Sequence, residues 1–176
     1  PCYYVTGNHE SRVENDFKEL EEKLSENGVV LLRNSSVNIE RDESIVEILG
    51  IDDPDFTPDK GVKTNQEIIS SEITDTKSNG DNFTILLSHR PEAFEEYTSH
   101  GIDLVFTGHA HGGQFRLPFV GGIIAPGQGF LPEYDAGLYN DGKTNMIVSR
   151  GIGNSIFPIR VNNRPEIILV NLECAN

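Results

Sequence analysis

The segment FTILLSHRPEAFEEYTSHGIDLVFTGHAHGG, residues 83–113, carries the strongest fold signal in the chain. It contains two apolar runs, residues 83–87 and 102–106, which have the length and composition of buried strands. Residues 91–99, between them, begin with a proline and favour a helix. Strand, helix and strand in this order predict a parallel α/β unit. A histidine follows each run, so polar side chains are expected where neighbouring strands end.

Three short motifs place possible metal ligands at such strand ends. They are GNHE at residues 7–10, SHRP at 88–91 and GHAHGG at 108–113, and each follows a β-prone or apolar segment. A glycine-flanked turn can present two imidazoles, which are common metal ligands, to two adjacent cations. Loops that follow parallel strands converge on one edge of a sheet. The motifs therefore predict a two-metal site in a hydrolase.

The order GNHE, lone histidine, GHxH resembles the later half of the calcineurin-like metallophosphoesterases. More narrowly, TGNHE (6–10) with GHAHGGQ (108–114) is similar to a bacterial subgroup that includes membrane-associated phosphodiesterases. The segments SRGIGNS (149–155) and RPEII (164–168) resemble that subgroup too, so the similarity runs from Tyr3 to about Glu173. It implies an α/β fold, specifically a layered α/β/β/α sandwich of two packed sheets flanked by helices.

The same resemblance implies metal-dependent hydrolysis of a small phosphoester, specifically a phosphodiester. It assigns Asn8, His89 and His109 to one divalent metal ion and His111 to a second. Two cations about 3.5–4 Å apart would neutralise the phosphoryl oxygens and activate water. Imidazole combined with oxygen ligands suits Mn, Fe or Zn better than Ca or Mg.

The resemblance also suggests catalytic and substrate-binding residues. His9 would meet the leaving-group oxygen as a cation or general acid, and the Glu10 carboxylate would hold its ring and raise its pKa. Arg90, Arg150 and Asn154 are weaker candidates for substrate binding. An arginine beside a proline needs no function, and the glycines and asparagine of residues 149–155 can equally serve a tight turn.

Two motifs that begin the family pattern, D-x-H and G-D-x-x-D, are absent. The Gly80-Asp81 pair follows GNHE and has Thr84 in place of the second aspartate, so we interpret it as a turn. We expect residues 1–176 to be one domain that forms the C-terminal portion of a longer protein, partnered by its missing N-terminal part. The alternative is that this chain alone is a non-catalytic module that binds at most one metal ion weakly.

Composition sets broad limits on partners. The chain has 176 residues, 36% of them hydrophobic, and a formal charge of −14, which argues against general nucleic-acid binding. Its two cysteines, Cys2 and Cys174, do not make a disulfide scaffold. If central strands are missing, an unpaired sheet edge would promote self-association. No apolar run approaches the length of a membrane span. The sequence leaves two compartments open: the protein is cytoplasmic, or it is attached to a membrane through the missing N-terminal part.

Residue patterns predict the remaining elements. An amphipathic pattern indicates a helix at 14–26, and residues 63–73 favour a second one. Strands are expected at 2–6, 29–32, 36–40 and 45–51, and closing strands at 146–148 and 167–172. Prolines make 52–61 a loop, and the many glycines and prolines of 112–142 indicate loops and short strands.

Overall fold

The computed structural model of the protein describes residues 1–41, 44–58, 60–154 and 159–173. The α-helices in these ranges are α1 (Glu14–Glu26), α2 (Asn65–Thr76) and α3 (Phe94–Ser99). The strands are β1 (Cys2–Tyr4), β2 (Val29–Leu31), β3 (Ser35–Arg41), β4 (Ser44–Gly50), β5 (Phe83–Leu87), β6 (Leu104–Thr107), β7 (Arg116–Leu117), β8 (Gly121–Gly122), β9 (Ile124–Ala125), β10 (Gly129–Phe130), β11 (Gly137–Asn140) and β12 (Asn145–Val148). None of the described helices has the length and apolar character needed to span a bilayer.

A six-stranded mixed sheet forms the centre of the molecule, with strand order β11-β12-β6-β5-β4-β3. The four inner strands are mutually parallel, and the two outer strands run antiparallel to their neighbours. The predicted parallel unit is confirmed, because β5 pairs directly with β6 and α3 lies between them in the chain. The carboxyl ends of all four inner strands therefore meet at one edge of the sheet.

The two faces of this sheet bury different layers because side chains alternate along each strand. One face packs against α2 and α3, and its strand residues are Leu49, Leu86, Val105, Met146 and Val148. The opposite face forms a second cluster whose strand residues are Val37, Val46, Ile48, Ile85, Leu87, Leu104, Phe106 and Ile147. Each inner strand thus contributes to two cores.

A second, two-stranded parallel sheet covers part of the opposite face. It consists of β1 and β2, and Tyr3, Val5 and Leu32 from this region join the second cluster. The two sheets approach closely at Gly50, where a Cβ would lie 2.3 Å from the Leu32 Cβ. Helix α1 packs against β2. The order of layers is helices, large sheet, small sheet and helix, which confirms the predicted layered α/β fold.

Two helix boundaries in the structure differ from the predicted ones. The helix expected at 63–73 runs over Asn65–Thr76 because Thr64 caps it, with Thr64 Oγ1 accepting from the Glu67 amide at 3.1 Å. The helix expected at 91–99 begins as a 3₁₀ turn, Pro91–Ala93, before α3.

The closing strand predicted at 167–172 is wrong. No strand is assigned over residues 159–173, and none of the described residues pairs with this segment as a strand. Two of its apolar side chains, Ile167 and Leu169, are about 90% exposed, and only Val170 joins the second cluster. An apolar run forms a strand only when a partner strand satisfies its backbone hydrogen bonds.

Candidate active site

The candidate site lies at the carboxyl edge of the inner strands. The loops after β4, β5 and β6 carry residues 51–53, 88–90 and 108–113, and the loop after β1 carries residues 7–10. The parallel pairing of β4, β5 and β6 places their three loops side by side. The GNHE loop reaches the same place because β1 belongs to the small sheet packed on that face.

Three of the four predicted metal ligands are in direct contact. His89 Nε2 lies 3.1 Å from Asn8 Oδ1 and 2.9 Å from His109 Nδ1. The two imidazole rings meet edge to face, with centroids 4.6 Å apart. Gly7 leaves room for this arrangement, since a Cβ there would sit 3.0 Å from His89 Cε1. The chain thus brings together atoms from motifs about 80 and 20 residues apart in sequence.

The spacing of these atoms fits ligands of a single cation. Metal–ligand bonds of about 2.1 Å at right angles hold neighbouring donor atoms about 3 Å apart. The three atoms also cannot all satisfy one another by hydrogen bonds, because His89 Nε2 has one position for two contacts. Among the described residues, however, no group of three or more His, Cys, Asp or Glu side chains could hold a metal ion. The donor set here fits part of a metal site.

Burial keeps these imidazoles in the form that binds metals. Burial is the main cause that lowers the pKa of His89 to about 4. Burial, and then the neighbouring His89 and Arg90, lower the pKa of His109 to about 2. Both rings are therefore neutral at pH 7 and retain a nitrogen lone pair for a cation.

Surrounding contacts hold the GHAHGG loop in a strained backbone conformation. His109 and His111 have φ values of +59° and +49°, which non-glycine residues rarely adopt. Each such residue costs on the order of 1–3 kcal/mol, so surrounding contacts must hold it. Asn163 supplies one of these, donating from Nδ2 to the His111 carbonyl at 2.6 Å. Gly112 is required beside it, because a Cβ would lie 2.4 Å from Asn163 Oδ1.

His111 lies within electrostatic range of the predicted general acid, His9. Burial, then the charges of Arg160 and His9, lower the pKa of His111. His9 itself is exposed and opens the 3₁₀ turn Glu10–Arg12. It is therefore accessible to a substrate that reaches the edge of the sheet.

Glu10 braces the GNHE loop through other groups than His9. One carboxylate oxygen accepts from the Gly7 amide at 2.9 Å and the other from the Tyr4 hydroxyl at 3.1 Å. Within the part of the chain that the structure describes, no hydrogen bond joins Glu10 to His9. The contact with the Gly7 amide spans three residues, as in a helix capping box, where a side chain accepts from a backbone amide three residues earlier. The expected contact between the Glu10 carboxylate and the His9 ring is therefore not observed among the described residues.

Arg90, predicted to bind substrate weakly, lies instead in a buried ion-pair network. It is 6% exposed and forms a two-pronged pair with Asp53, at 2.7 and 2.8 Å. Its Nη2 also contacts Asp55 at 3.0 Å, and its Nη1 lies 3.3 Å from His109 Nε2. The guanidinium thus joins the loop after β4 to the ring of a predicted metal ligand.

The other two weak candidates lie at the edge of the site. Arg150 pairs with Glu166, and its side chain packs against Gly112. Asn154 is exposed. The last residue of the SRGIGNS motif, Ser155, falls outside the described residues. Arg150 therefore packs against the GHAHGG loop. Among the described residues, Asn154 makes no contact with the site.

Sequence reasoning missed Asp53 and Asn163. Asp53 is 1% exposed, and its amide donates to Thr6 Oγ1 at 3.0 Å, which ties the loop after β4 to the GNHE loop. Its position after a parallel strand is the same signal that identified the three motifs. Asn163 lies outside any such strand end, and no local pattern distinguishes it.

The chain resembles known proteins over these motifs. Residues 1–113 match the family described as calcineurin-like phosphoesterase. An uncharacterized metallophosphoesterase of Bacillus subtilis, YkuE, is 42% identical over 94 residues, which are 53% of this chain and 32% of that protein. A second one, YkoQ, is 32% identical over 166 residues, 94% of this chain and 57% of the relative.

Phosphodiesterase YaeI of Escherichia coli is 38% identical over 88 residues, half of this chain and 32% of that protein. The chain thus spans between a third and three fifths of the length of these relatives. No solved structure matches it. The family match covers more than half of the chain and includes all three motifs that meet at the sheet edge. The chain therefore belongs to the calcineurin-like phosphoesterase family.

Proposed function

We propose that this chain forms part of a metal-dependent phosphodiesterase with a two-metal centre. The observation that carries the proposal is the meeting of Asn8 Oδ1, His89 Nε2 and His109 Nδ1 at ligand spacing. Membership of the family supports hydrolysis of a phosphoester. The choice of a diester is supported by the name of one relative, phosphodiesterase YaeI.

The residues of this chain would have separate roles in metal binding and in proton donation. Asn8, His89 and His109 hold one cation and His111 holds the other, with Mn, Fe or Zn as the metals that suit these donors. Bound cations supply charge neutralisation at the phosphoryl oxygens and acidify water. His9 donates a proton to the leaving alkoxide as the bond between phosphorus and that oxygen breaks. The attacking oxygen comes from water.

The ligand assignment is tested on protein expressed from the complete reading frame. Bis(p-nitrophenyl) phosphate with added Mn²⁺ should be hydrolysed, and EDTA should abolish the reaction. His89→Gln should lower kcat/KM at least about 100-fold, because a ligand is lost. His100→Gln is the matched control, since His100 contacts Thr74 and Ser70, away from the site. Absence of turnover with Mn²⁺, Fe²⁺ and Zn²⁺ alike would refute the enzymatic proposal.

The role of His9 is tested by the leaving group. p-Nitrophenolate leaves without protonation, whereas an alkoxide needs a proton. His9→Gln should therefore slow an alkyl phosphodiester roughly 100-fold and the nitrophenyl diester far less. His9 is exposed, so this substitution should leave the melting temperature unchanged. Equal losses on both substrates would argue against proton donation.

A second candidate concerns the 176-residue chain by itself, as a non-catalytic module that binds metal weakly. It is favoured by the finding that no three or more His, Cys, Asp or Glu side chains among the described residues could hold a metal ion. Calorimetric titration of the isolated chain with Mn²⁺ should show at most one weak site, and its turnover should be negligible. Robust hydrolysis by the isolated chain would overturn this candidate.

A further inference from the structure

Arg160 is a cation beside the candidate site that has no acidic partner among the described residues. The other arginines that touch the GHAHGG loop are each held by a carboxylate. These pairs are Arg90–Asp53, Arg116–Asp135 and Arg150–Glu166. Acidic residues outnumber basic ones in this chain by 28 to 14, so a carboxylate partner is the ordinary expectation for an arginine. Arg160 departs from it.

The backbone that follows Arg160 is attached to the GHAHGG loop. The amide of the next residue, Val161, donates to the Gln114 carbonyl at 3.3 Å. Two positions further, Asn163 donates from Nδ2 to the His111 carbonyl at 2.6 Å. These contacts place Arg160 alongside the end of the loop that carries two of the predicted metal ligands.

A fourth loop at the carboxyl edge of the sheet holds the guanidinium group of Arg160. Strand β12 pairs in parallel with β6, so residues 149–154, which follow β12, lie beside the GHAHGG loop. Arg160 Nη2 donates to the Arg150 carbonyl at 2.8 Å and also to the Gly153 carbonyl. The guanidinium is therefore fixed at the same edge of the sheet as the candidate metal ligands.

Most of the hydrogen-bonding capacity of Arg160 has no partner within the described ranges. A guanidinium group has five N–H donors, one on Nε and two on each Nη nitrogen. The two on Nη2 go to the backbone carbonyls, whereas Nε and Nη1 are buried and donate to no described residue. Burying a charged donor without an acceptor is destabilising. The remaining three donors therefore suit a ligand that brings anionic oxygens.

Arg160 also lies near two groups of the proposed reaction. Its charge is within electrostatic range of His111, the predicted ligand of the second cation, and so is His9, the predicted proton donor. The residue as a whole is partly exposed, so an anion at the edge of the sheet can approach it. The chain carries a formal charge of −14, which repels anions, and a local cation offsets this repulsion at the site.

We propose that Arg160 is a substrate-binding residue that donates to the non-bridging oxygens of the phosphoryl group. A guanidinium suits this ligand because it is always charged and its fixed donors match phosphate oxygens. Nη2 keeps its contacts with the loop after β12, so Arg160 joins the substrate to that loop. The inference rests on the proposed function, which supplies the phosphoryl group, and adds a residue that lies outside the three motifs.

Calorimetric titration with inorganic phosphate tests this contact without relying on turnover. Protein expressed from the complete reading frame is used as purified. Arg160→Gln should weaken phosphate binding at least about tenfold, because charge-assisted hydrogen bonds are lost. Arg164→Gln is the matched control, since it removes the same charge from an exposed position four residues later, and it should bind phosphate as the wild type does. Wild-type protein that binds phosphate no more tightly than Arg160→Gln, or not at all, overturns the proposal whether or not the enzyme is active.

Titration with Mn²⁺ alone separates substrate binding from simple support of the loop after β12. Removing a positive charge near His111 does not weaken its attraction for a cation, so Arg160→Gln should bind Mn²⁺ at least as tightly as the wild type. Arg160→Lys keeps the charge and a donor for the carbonyls but loses the planar fork, so it should recover only part of the phosphate affinity. Loss of Mn²⁺ affinity in step with phosphate affinity would show that Arg160 only supports the loop, and would overturn the proposal.

Discussion

Arg90 and Asp53 form the buried ion pair on which the orientation of His109 depends. Asp53→Asn removes the charge that pairs with Arg90 through two hydrogen bonds. The buried guanidinium then keeps Asp55 at 3.0 Å and Glu92 at 3.6 Å as its remaining carboxylate partners. We expect a loss of about 3–5 kcal/mol in the free energy of unfolding, measured by urea denaturation. Asp55→Asn is the control and should cost less, because Asp55 makes one contact to Arg90. Equal losses would contradict this account.

The buried histidines predict a specific dependence of stability on pH. The folded pKa values of His89 and His109 lie below 6.5, so the unfolded chain binds more protons in acid. Their contribution to the free energy of unfolding is complete above pH 6.5 and is lost as the pH falls, toward about 4 for His89 and toward about 2 for His109. His109→Gln should make the metal-free protein less sensitive to pH across this window, as followed by thermal melting. An unchanged slope in this variant would show that the ring is not held neutral.

The turn after β6 depends on contact with the hairpin β7–β8. Gly113→Ala should be strongly destabilising, by roughly 3 kcal/mol or more, since its Cβ would meet the backbone of Gly122 at 2.3 Å. Gly101→Ala is the control: its φ of +62° is close to the +67° of Gly113, but no atom lies within 4 Å of the added Cβ. It should cost only the backbone strain of about 1–2 kcal/mol. Thermal unfolding of both variants tests whether packing, beyond conformation, requires glycine at position 113.

The elements show which parts of a sequence pattern predict structure reliably. Strands β4, β5 and β6 were recognised because each consists mostly of apolar residues, which pack on both faces of the sheet. The segment 167–172 is also mostly apolar but forms no strand, and its Ile167 and Leu169 lie in solvent. The apolar pattern of a segment shows that it can form a strand if another strand pairs with it. Whether such a partner strand is present depends on the rest of the fold.

Association of the whole molecule should follow from its open strands. In the described ranges β1 and β2 pair only with each other, and the large sheet ends in β3 and β11. Such edges offer unpaired backbone groups to another chain. The 176-residue chain should therefore sediment as more than one species, whereas protein expressed from the complete reading frame should sediment as a single species. A stable, compact monomer without a companion would contradict the expectation of an unsatisfied edge.

The three motifs and the parallel strand–helix–strand unit of residues 83–106 were predictable from the amino-acid sequence, because apolar runs and the polar residues that follow them are local signals. The sequence therefore led to Asn8, His89, His109 and His111, and the structure brings the first three into contact. Their roles as metal ligands stay predictions.

Contacts between distant residues required the folded chain. Arg90 meets Asp53 across 37 positions, and Asn163 reaches the His111 carbonyl across 52. Such pairings have no local signature, since their energy depends on burial and distance that exist only after the sheet has formed.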